Sequence, residues 1–223
     1  MKKFVLSVLA LSMFSMSANA AMTVIIEGPV DVQDTWIWAN APLFAPGGDD
    51  SFRMQGPPNS GNAQGLIKFA GIPLGVTIDS ADLILRTNDD TTGAEDGITT
   101  DTLSVHRVID SWDESTSFST FGGSFDATAD GSIAPTIQDM MVTVDVTSLV
   151  QEWSNGVTNQ GFMLRGTTGD GVSYVSSEGT AGFGPRLQIN YTAVPEPTAF
   201  LMLGLVGLGF GGNRWWKSRK AKK

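Results

Sequence analysis

The chain is 223 residues long, with 14 Lys and Arg against 23 Asp and Glu, one histidine and no cysteine. That composition excludes disulfides, thiolate nucleophiles and cysteine-ligated metals, and the lone His106 leaves no histidine-based zinc site and little basis for a Ser-His-Asp arrangement. The charge is uneven: residues 21–193 hold six bases against 22 acids, a net −16 that repels nucleic acid and anionic membranes, whereas residues 214–223 are basic.

In chain order, Lys2-Lys3, the apolar run Phe4–Met16 and Ala18-Asn19-Ala20 have the layout of a cleavable export signal. They predict a signal peptide over residues 1–20 and a mature chain starting at Ala21. The next 173 residues suffice for one domain with a real core. Short runs separated by Gly, Pro, Asn and Asp predict strands at Thr23–Glu27, Asp34–Trp38, Gly65–Phe69, Ala81–Arg86, Thr102–Ile109, Met141–Val146, Gly161–Arg165, Val172–Ser176 and Arg186–Tyr191. Ala81, Leu83 and Leu85 alternate with Asp82, Ile84 and Arg86, and Val142, Val144 and Val146 share one face. Period-two patterning of this kind predicts an all-β fold of two packed antiparallel sheets.

One helix interrupts the strands. Ser148-Leu149-Val150-Gln151 fits a capping box, Val146, Leu149, Val150 and Trp153 form one apolar side, and Asn155-Gly156 stops it. It is too short to stand alone, which predicts a helix lying across an open end of the sandwich with Trp153 as a plug. Pro42–Asn62, Asn88–Thr100 and Ser115–Pro135 read as long loops.

The chain ends on Val194-Pro195-Glu196-Pro197, the apolar run Ala199–Gly212 and a basic terminus opening at Arg214. The apolar run alone is shorter than a bilayer span, but Trp215 and Trp216 suit the interface and the six bases suit the cytoplasmic side. Together they predict a membrane segment over about residues 198–216.

Few residues offer chemistry. His106 lies mid-strand and reads as structural. Asp113 and Glu114 are adjacent on an extended chain, so they point apart and cannot flank one glycosidic bond. Trp112 beside them reads as core, and the two acids as turn-fixing or metal-holding. Asp89, Asp90, Glu95, Asp96 and Asp101 form one acidic cluster, and Asp49 and Asp50 another. Asp89, Asp90, Asp96 and Asp101 are the candidate Ca²⁺ ligands, although no EF-hand spacing is present and a solvated acidic loop is the competing reading. Sugar binding needs aromatic platforms with polar groups around them. Trp36 and Trp38 share a strand face and, with Tyr174, are the candidate carbohydrate-binding residues; Phe183 is a further candidate, and burial in the core is the competing reading.

Two resemblances follow from these motifs. Val-Pro-Glu-Pro, the apolar stretch and the basic end resemble the PEP-CTERM sorting signal of Gram-negative bacteria. That resemblance implies an exosortase-type processing enzyme acting on Val194, Pro195, Glu196, Pro197 and Arg214, transient anchoring in the inner membrane, and delivery to the cell surface or beyond, alongside exopolysaccharide. The body resembles the DNRLRE domain: Gly65-Leu66-Ile67-Lys68-Phe69, Ile72–Leu83, Ser111-Trp112-Asp113-Glu114, Asp145–Val150, Gly161-Phe162-Met163-Leu164-Arg165 and Pro185-Arg186-Leu187 occur in that family's order. It implies a jelly-roll-like antiparallel β-sandwich with one short helix over residues 21–193, of a kind found in secreted proteins, with some relatives serving as carbohydrate-binding modules for alginate. The expectation is a non-enzymatic, exported surface or matrix protein that binds polysaccharide. The alternative is a structural adhesin or biofilm-matrix component without a defined glycan. Against a net −16, neutral glycans, or acidic ones bridged by Ca²⁺, fit better than direct capture of an anion.

Overall fold

A computed structural model describes residues 20–56, 62–89 and 97–194. Among these residues the elements are β1 (Ala21–Glu27), β2 (Val32–Trp38), β3 (Ser51–Met54), β4 (Ala63–Phe69), β5 (Thr77–Arg86), β6 (Leu103–Arg107), β7 (Gly131–Ile133), β8 (Met141–Asp145), α1 (Thr147–Ser154), β9 (Phe162–Arg165), β10 (Val172–Val175) and β11 (Arg186–Thr192). The expected signal peptide, sorting tail and membrane segment lie outside the described residues, apart from Ala20 and the exposed Val194. Among the described residues no helix is long and apolar enough to cross a membrane.

The strands form a β-sandwich in which every pairing is antiparallel. One sheet runs β1-β11-β5-β8, a second β2-β4-β9-β6-β7, and β3 pairs with β10 as a small third sheet. All nine strands expected from the sequence are present. Two more appear inside segments read as loops. Phe52 and Met54 are buried and alternate with Ser51 and Arg53, which makes β3 a regular half-buried strand hidden in a Gly- and Asp-rich stretch. The three-residue β7 is too short to show a period.

The main core joins the facing sheets through Leu83, Leu85, Val144, Leu187 and Ile189 on one side and Val32, Ile67, Phe69, Val105, Phe162 and Leu164 on the other. The second sheet is covered on its other face as well. Ile37, Leu66, Val108, Trp112 and Met163 form a separate buried cluster, roofed by Phe118, Phe121 and Phe125. Residues 108–125, read as mostly loop, are thus a lid over the back of this sheet.

The helix begins two residues earlier than expected, and the capping box is not formed: Val146, not Ser148, occupies the N-cap, with no side-chain bond to the helix. Gln151 turns toward β5 instead, accepting from the Ile78 N–H at 2.8 Å and donating to the Val76 carbonyl at 3.1 Å. Thr147 Oγ1 accepts from the Ala81 N–H at 2.9 Å. Strand β8 reaches only Asp82–Arg86 of β5, so the helix side chains take over the donors that the sheet leaves unpaired. Trp153 is buried against Phe162, with ring centroids 5.0 Å apart.

Gly161 opens β9 at φ +82°, where a Cβ would stand 2.1 Å from the Ile67 carbonyl oxygen. Gly161→Ala therefore meets both a left-handed backbone and a backbone clash, and should cost at least about 2 kcal/mol. Urea unfolding would read this as a lower midpoint at unchanged slope.

Candidate functional site

Edge strand β2 carries the most distinctive surface. Val32, Asp34, Trp36 and Trp38 share the face toward the main core, and Ile37 points into the second cluster behind. Val32 is enclosed, but at the far end of the strand the cover thins. Trp36 is half-buried and packs against the main core, and Trp38 is half-buried beyond it. Their ring centroids are 5.9 Å apart, tilted at 41°. Phe44, from the turn after β2, meets Trp36 edge-on at 5.5 Å and is 44% exposed. The result is a continuous aromatic ledge of Trp38, Trp36 and Phe44. Phe44 was not expected from sequence; its place two residues into a Pro-opened loop gave no pattern to read.

The ledge is held from both sides. Ser119 N–H donates to the Pro42 carbonyl at 2.8 Å, and Gly47 lies so close to Glu114 that a Cβ would stand 2.2 Å from the Glu114 carbonyl oxygen. From the other side, Ser176 Oγ donates to the Asp49 carbonyl at 2.6 Å and its N–H to the Asp50 carbonyl at 3.0 Å. The turn carrying Phe44 is therefore clamped between residues 113–121 and 176–184, and little ordering is left for a ligand to impose.

Beneath the ledge lies an acid. Asp34 is 2% exposed, and its Oδ2 accepts from the Ser177 N–H at 2.8 Å. Burial, with the negative charges of Glu178 and Glu114 added, outweighs the Ser177 hydrogen bonds and pushes the Asp34 carboxyl up to about 7. Glu114 is raised too, by burial first and then by Glu178, although it accepts the Asp34 backbone N–H. On the far side of Ser177 a cleft of about 390 Å³ opens, lined by Glu27, Gly28, Glu178, Gly182 and Arg186. Glu27, Glu178 and Arg186 on its wall carry charged groups that can exchange hydrogen bonds with hydroxyls.

The other expected site residues separate. Tyr174 is a correction: it is fully buried, stacked on Phe52 at 5.9 Å, and burial pushes its phenol well above the usual range. Its strand β10 packs inward, so it offers no surface to a sugar. Phe183 lies under the Arg86 guanidinium at 3.7 Å, away from the ledge. Asp101 is a second correction. It is 5% exposed and accepts from Thr102 N (2.8 Å), Thr167 N (2.7 Å), Thr168 N (2.6 Å) and the Thr167 hydroxyl. Burial raises its carboxyl, but these bonds prevail and hold it below the ordinary carboxylate value. It is a staple between two loops, with its oxygens committed to protein donors. Asp89 is exposed, Asp90 and Asp96 lie outside the described residues, and no group of three or more metal-ligating side chains occurs among those described.

Trp112 is 6% exposed, with its Nε1–H bonded to the Gln160 carbonyl at 2.7 Å and Lys68 Nζ 4.8 Å from its ring. Asp113 Oδ1 accepts from the Ser115 N–H at 2.9 Å, a turn-fixing role. Both ring nitrogens of His106 are engaged, Nδ1 with the Asp126 carbonyl and Nε2 with Ser104 Oγ, each at 2.8 Å.

An antiparallel sandwich with a clamped, partly exposed aromatic ledge at its rim has the build of a carbohydrate-binding module. The chain belongs to carbohydrate-binding module family 96, whose model matches residues 30–191. No curated protein matches it.

The Asp34 shift has a stability consequence. Its folded value lies above its unfolded one, so the stability it contributes is complete below about pH 4 and is lost as pH rises through 7. About three pKa units correspond to a loss on the order of 4 kcal/mol. Thermal melts should show the wild type losing stability from pH 5 to pH 8. Asp34→Asn, which keeps an acceptor for Ser177, should melt several degrees higher at pH 8 and show little of that fall. An equal fall in both proteins would contradict the assignment.

Proposed function

We propose that this is an exported, non-enzymatic protein of the cell surface or extracellular matrix, whose sandwich grips polysaccharide on the Trp38–Trp36–Phe44 ledge. The observation that carries the reading is the ledge itself: three aromatic rings in contact at the rim, Trp36 and Trp38 half-buried and Phe44 exposed, fixed from both sides, in a member of a carbohydrate-binding family. Aromatic faces present flat apolar area to the C–H face of a sugar ring at little entropic cost, and the neighbouring cleft supplies partners for hydroxyls. With 22 acids against six bases in residues 21–193, the ledge suits neutral chains, or acidic chains bridged by a divalent cation. Asp113, Glu114 and His106 are each tied into the scaffold, which favours binding over hydrolysis.

The tail fits the same role. The Pro195-Glu196-Pro197 motif and the basic end from Arg214 are read as a sorting signal: the precursor is held in the inner membrane, an exosortase-type enzyme acts on the tail, and the acidic sandwich passes to the surface. Release would remove six bases and leave a strongly acidic domain in the extracellular layer.

Trp38 is half-buried at the end of edge strand β2, the last ring of the ledge, so its removal tests binding at the rim of the fold. In affinity electrophoresis through gels containing a panel of neutral and acidic polysaccharides, with and without Ca²⁺, the wild type should be retarded by at least one. Trp38→Ala should weaken that interaction by roughly 10- to 30-fold, as loss of an aromatic anchor does, while the protein remains folded at the assay temperature. Retardation of the variant equal to wild type would remove the ledge from the account. Replacing Pro195-Glu196-Pro197 by alanines should leave the precursor in the inner-membrane fraction; unchanged release would sink the sorting proposal.

A further inference from the structure

The ledge owes its position to loops that meet on one buried acid. Asp34 stands two residues before Trp36 on the same face of β2. Its Oδ2 takes the Ser177 N–H, and Ser177 Oγ in turn donates to Glu178 Oε1 at 2.8 Å. The other Glu178 oxygen, Oε2, is buried with no hydrogen-bond partner among the described residues. Glu114 closes the group from the opposite side by accepting the Asp34 backbone N–H. The segment 176–179 that carries Ser177 and Glu178 also holds the Asp49 and Asp50 carbonyls, and Glu114 abuts Gly47. The same residues therefore surround the acid and clamp the turn bearing Phe44.

We propose that Asp34 is a positioning residue for the aromatic ledge: protonated, it locks residues 42–50, 113–121 and 176–184 together, and ionised, it forces them apart and loosens the ledge. This rests on the ledge reading above and adds a regulatory group beneath it.

The charges around Asp34 make the step sharp. Glu178 faces it from the 176–184 segment and Glu114 from the 113–121 segment, with Asp113 next to Glu114. Asp49 and Asp50 lie on the third segment and contribute carbonyls to the clamp. The cations nearby are engaged elsewhere. Lys68 Nζ donates to the Trp112 carbonyl at 2.9 Å and lies over its ring, and Arg186 lies 3.8 Å from Glu27 across the cleft. Lys68 offsets part of the Glu114 charge, but no cation among the described residues contacts Asp34 itself; its buried charge, added to those of the half-buried Glu114 and Glu178, is relieved by separation of the loops into water. Protonation removes that charge and turns Asp34 into a donor in a group whose Glu178 Oε2 lacks one. The raised value of about 7 puts the change within the range of natural waters and biofilms. Binding would then be firm in an acidified layer and weak above neutrality.

Amide hydrogen exchange by mass spectrometry on the full chain tests this without a ligand. Rates at pH 6 and pH 8, corrected for intrinsic chemistry, should show peptides from 42–50, 113–121 and 176–184 losing protection at least tenfold at pH 8, while β5 and β11 peptides keep theirs. Asp34→Asn should keep protection at both pH values. Glu178→Gln, which removes one of the charges that raise Asp34, should move the midpoint to lower pH with a smaller loss of protection at pH 8, and serves as a second variant if Asp34→Asn folds poorly. Equal protection at both pH values in the wild type, or loss of protection in both variants at the wild-type pH, would overturn the proposal. Polysaccharide retardation at pH 6 and 8 is a separate arm. A clamp that loosens while retardation stays constant keeps the device but removes its link to the ledge. Absence of any retardation sinks the binding reading and leaves the exchange result to decide the device.

Discussion

The five-stranded sheet is buried on both faces, and most of the molecule follows from that. One face meets the main core through Val32, Ile67, Phe162 and Leu164, and the other is sealed by Trp112 and the Phe118, Phe121 and Phe125 roof. A sheet covered twice cannot present a flat ligand-binding face like that of a one-sided sheet. Exposed aromatic area is displaced to the rim, where β2 outruns its cover. That is where Trp36, Trp38 and Phe44 gather.

The rim is stiff because the covering segments are tied to one another. Residues 113–121 and 176–184 hold the 42–50 turn through main-chain and serine hydrogen bonds, and Glu114 caps an edge N–H of β2 that would otherwise invite another strand. The arrangement carries a cost in the buried Asp34. With no cysteine to staple loops and few bases to neutralise acids, the domain relies on carboxylates as hydrogen-bond acceptors. Asp101 and Asp170 tie the 99–102 and 166–171 segments in the same way, but with enough donors to favour the charged form. Asp34 has too few donors and too many acidic neighbours, so it alone of these staples is poised to change state near neutrality.

Much of the architecture was legible before the structure. Strands such as β5 and β8 announce themselves by alternation, because one face is buried and the other is not. Strand β3 hid because glycine and aspartate surround Phe52 and Met54, and β7 because three residues cannot show a period. The capping box at Ser148–Gln151 misled because Gln151 had a better use, satisfying β5 donors that β8 does not reach. At the site, the shared face of Trp36 and Trp38 was readable, but which faces were covered was not. Alternation alone gives Tyr174 the same claim as Trp38, and only the packing of β10 separates them. Asp34 and Asp101 illustrate the same limit: an aspartate in a strand or loop reads as surface, and tertiary donors decide otherwise.

On the proposed reading, sandwich, ledge and acidic surface would hold polysaccharide by stacking and hydroxyl contacts instead of by charge. The most direct measurement uses the indole ¹H–¹⁵N resonances of the chain as a soluble oligosaccharide from a retarding polymer is added. Trp36 and Trp38 should shift with a common affinity, while the buried Trp112 and Trp153 stay still. Shifts centred on Trp112 or Trp153, or binding that leaves Trp36 and Trp38 unmoved, would contradict the account.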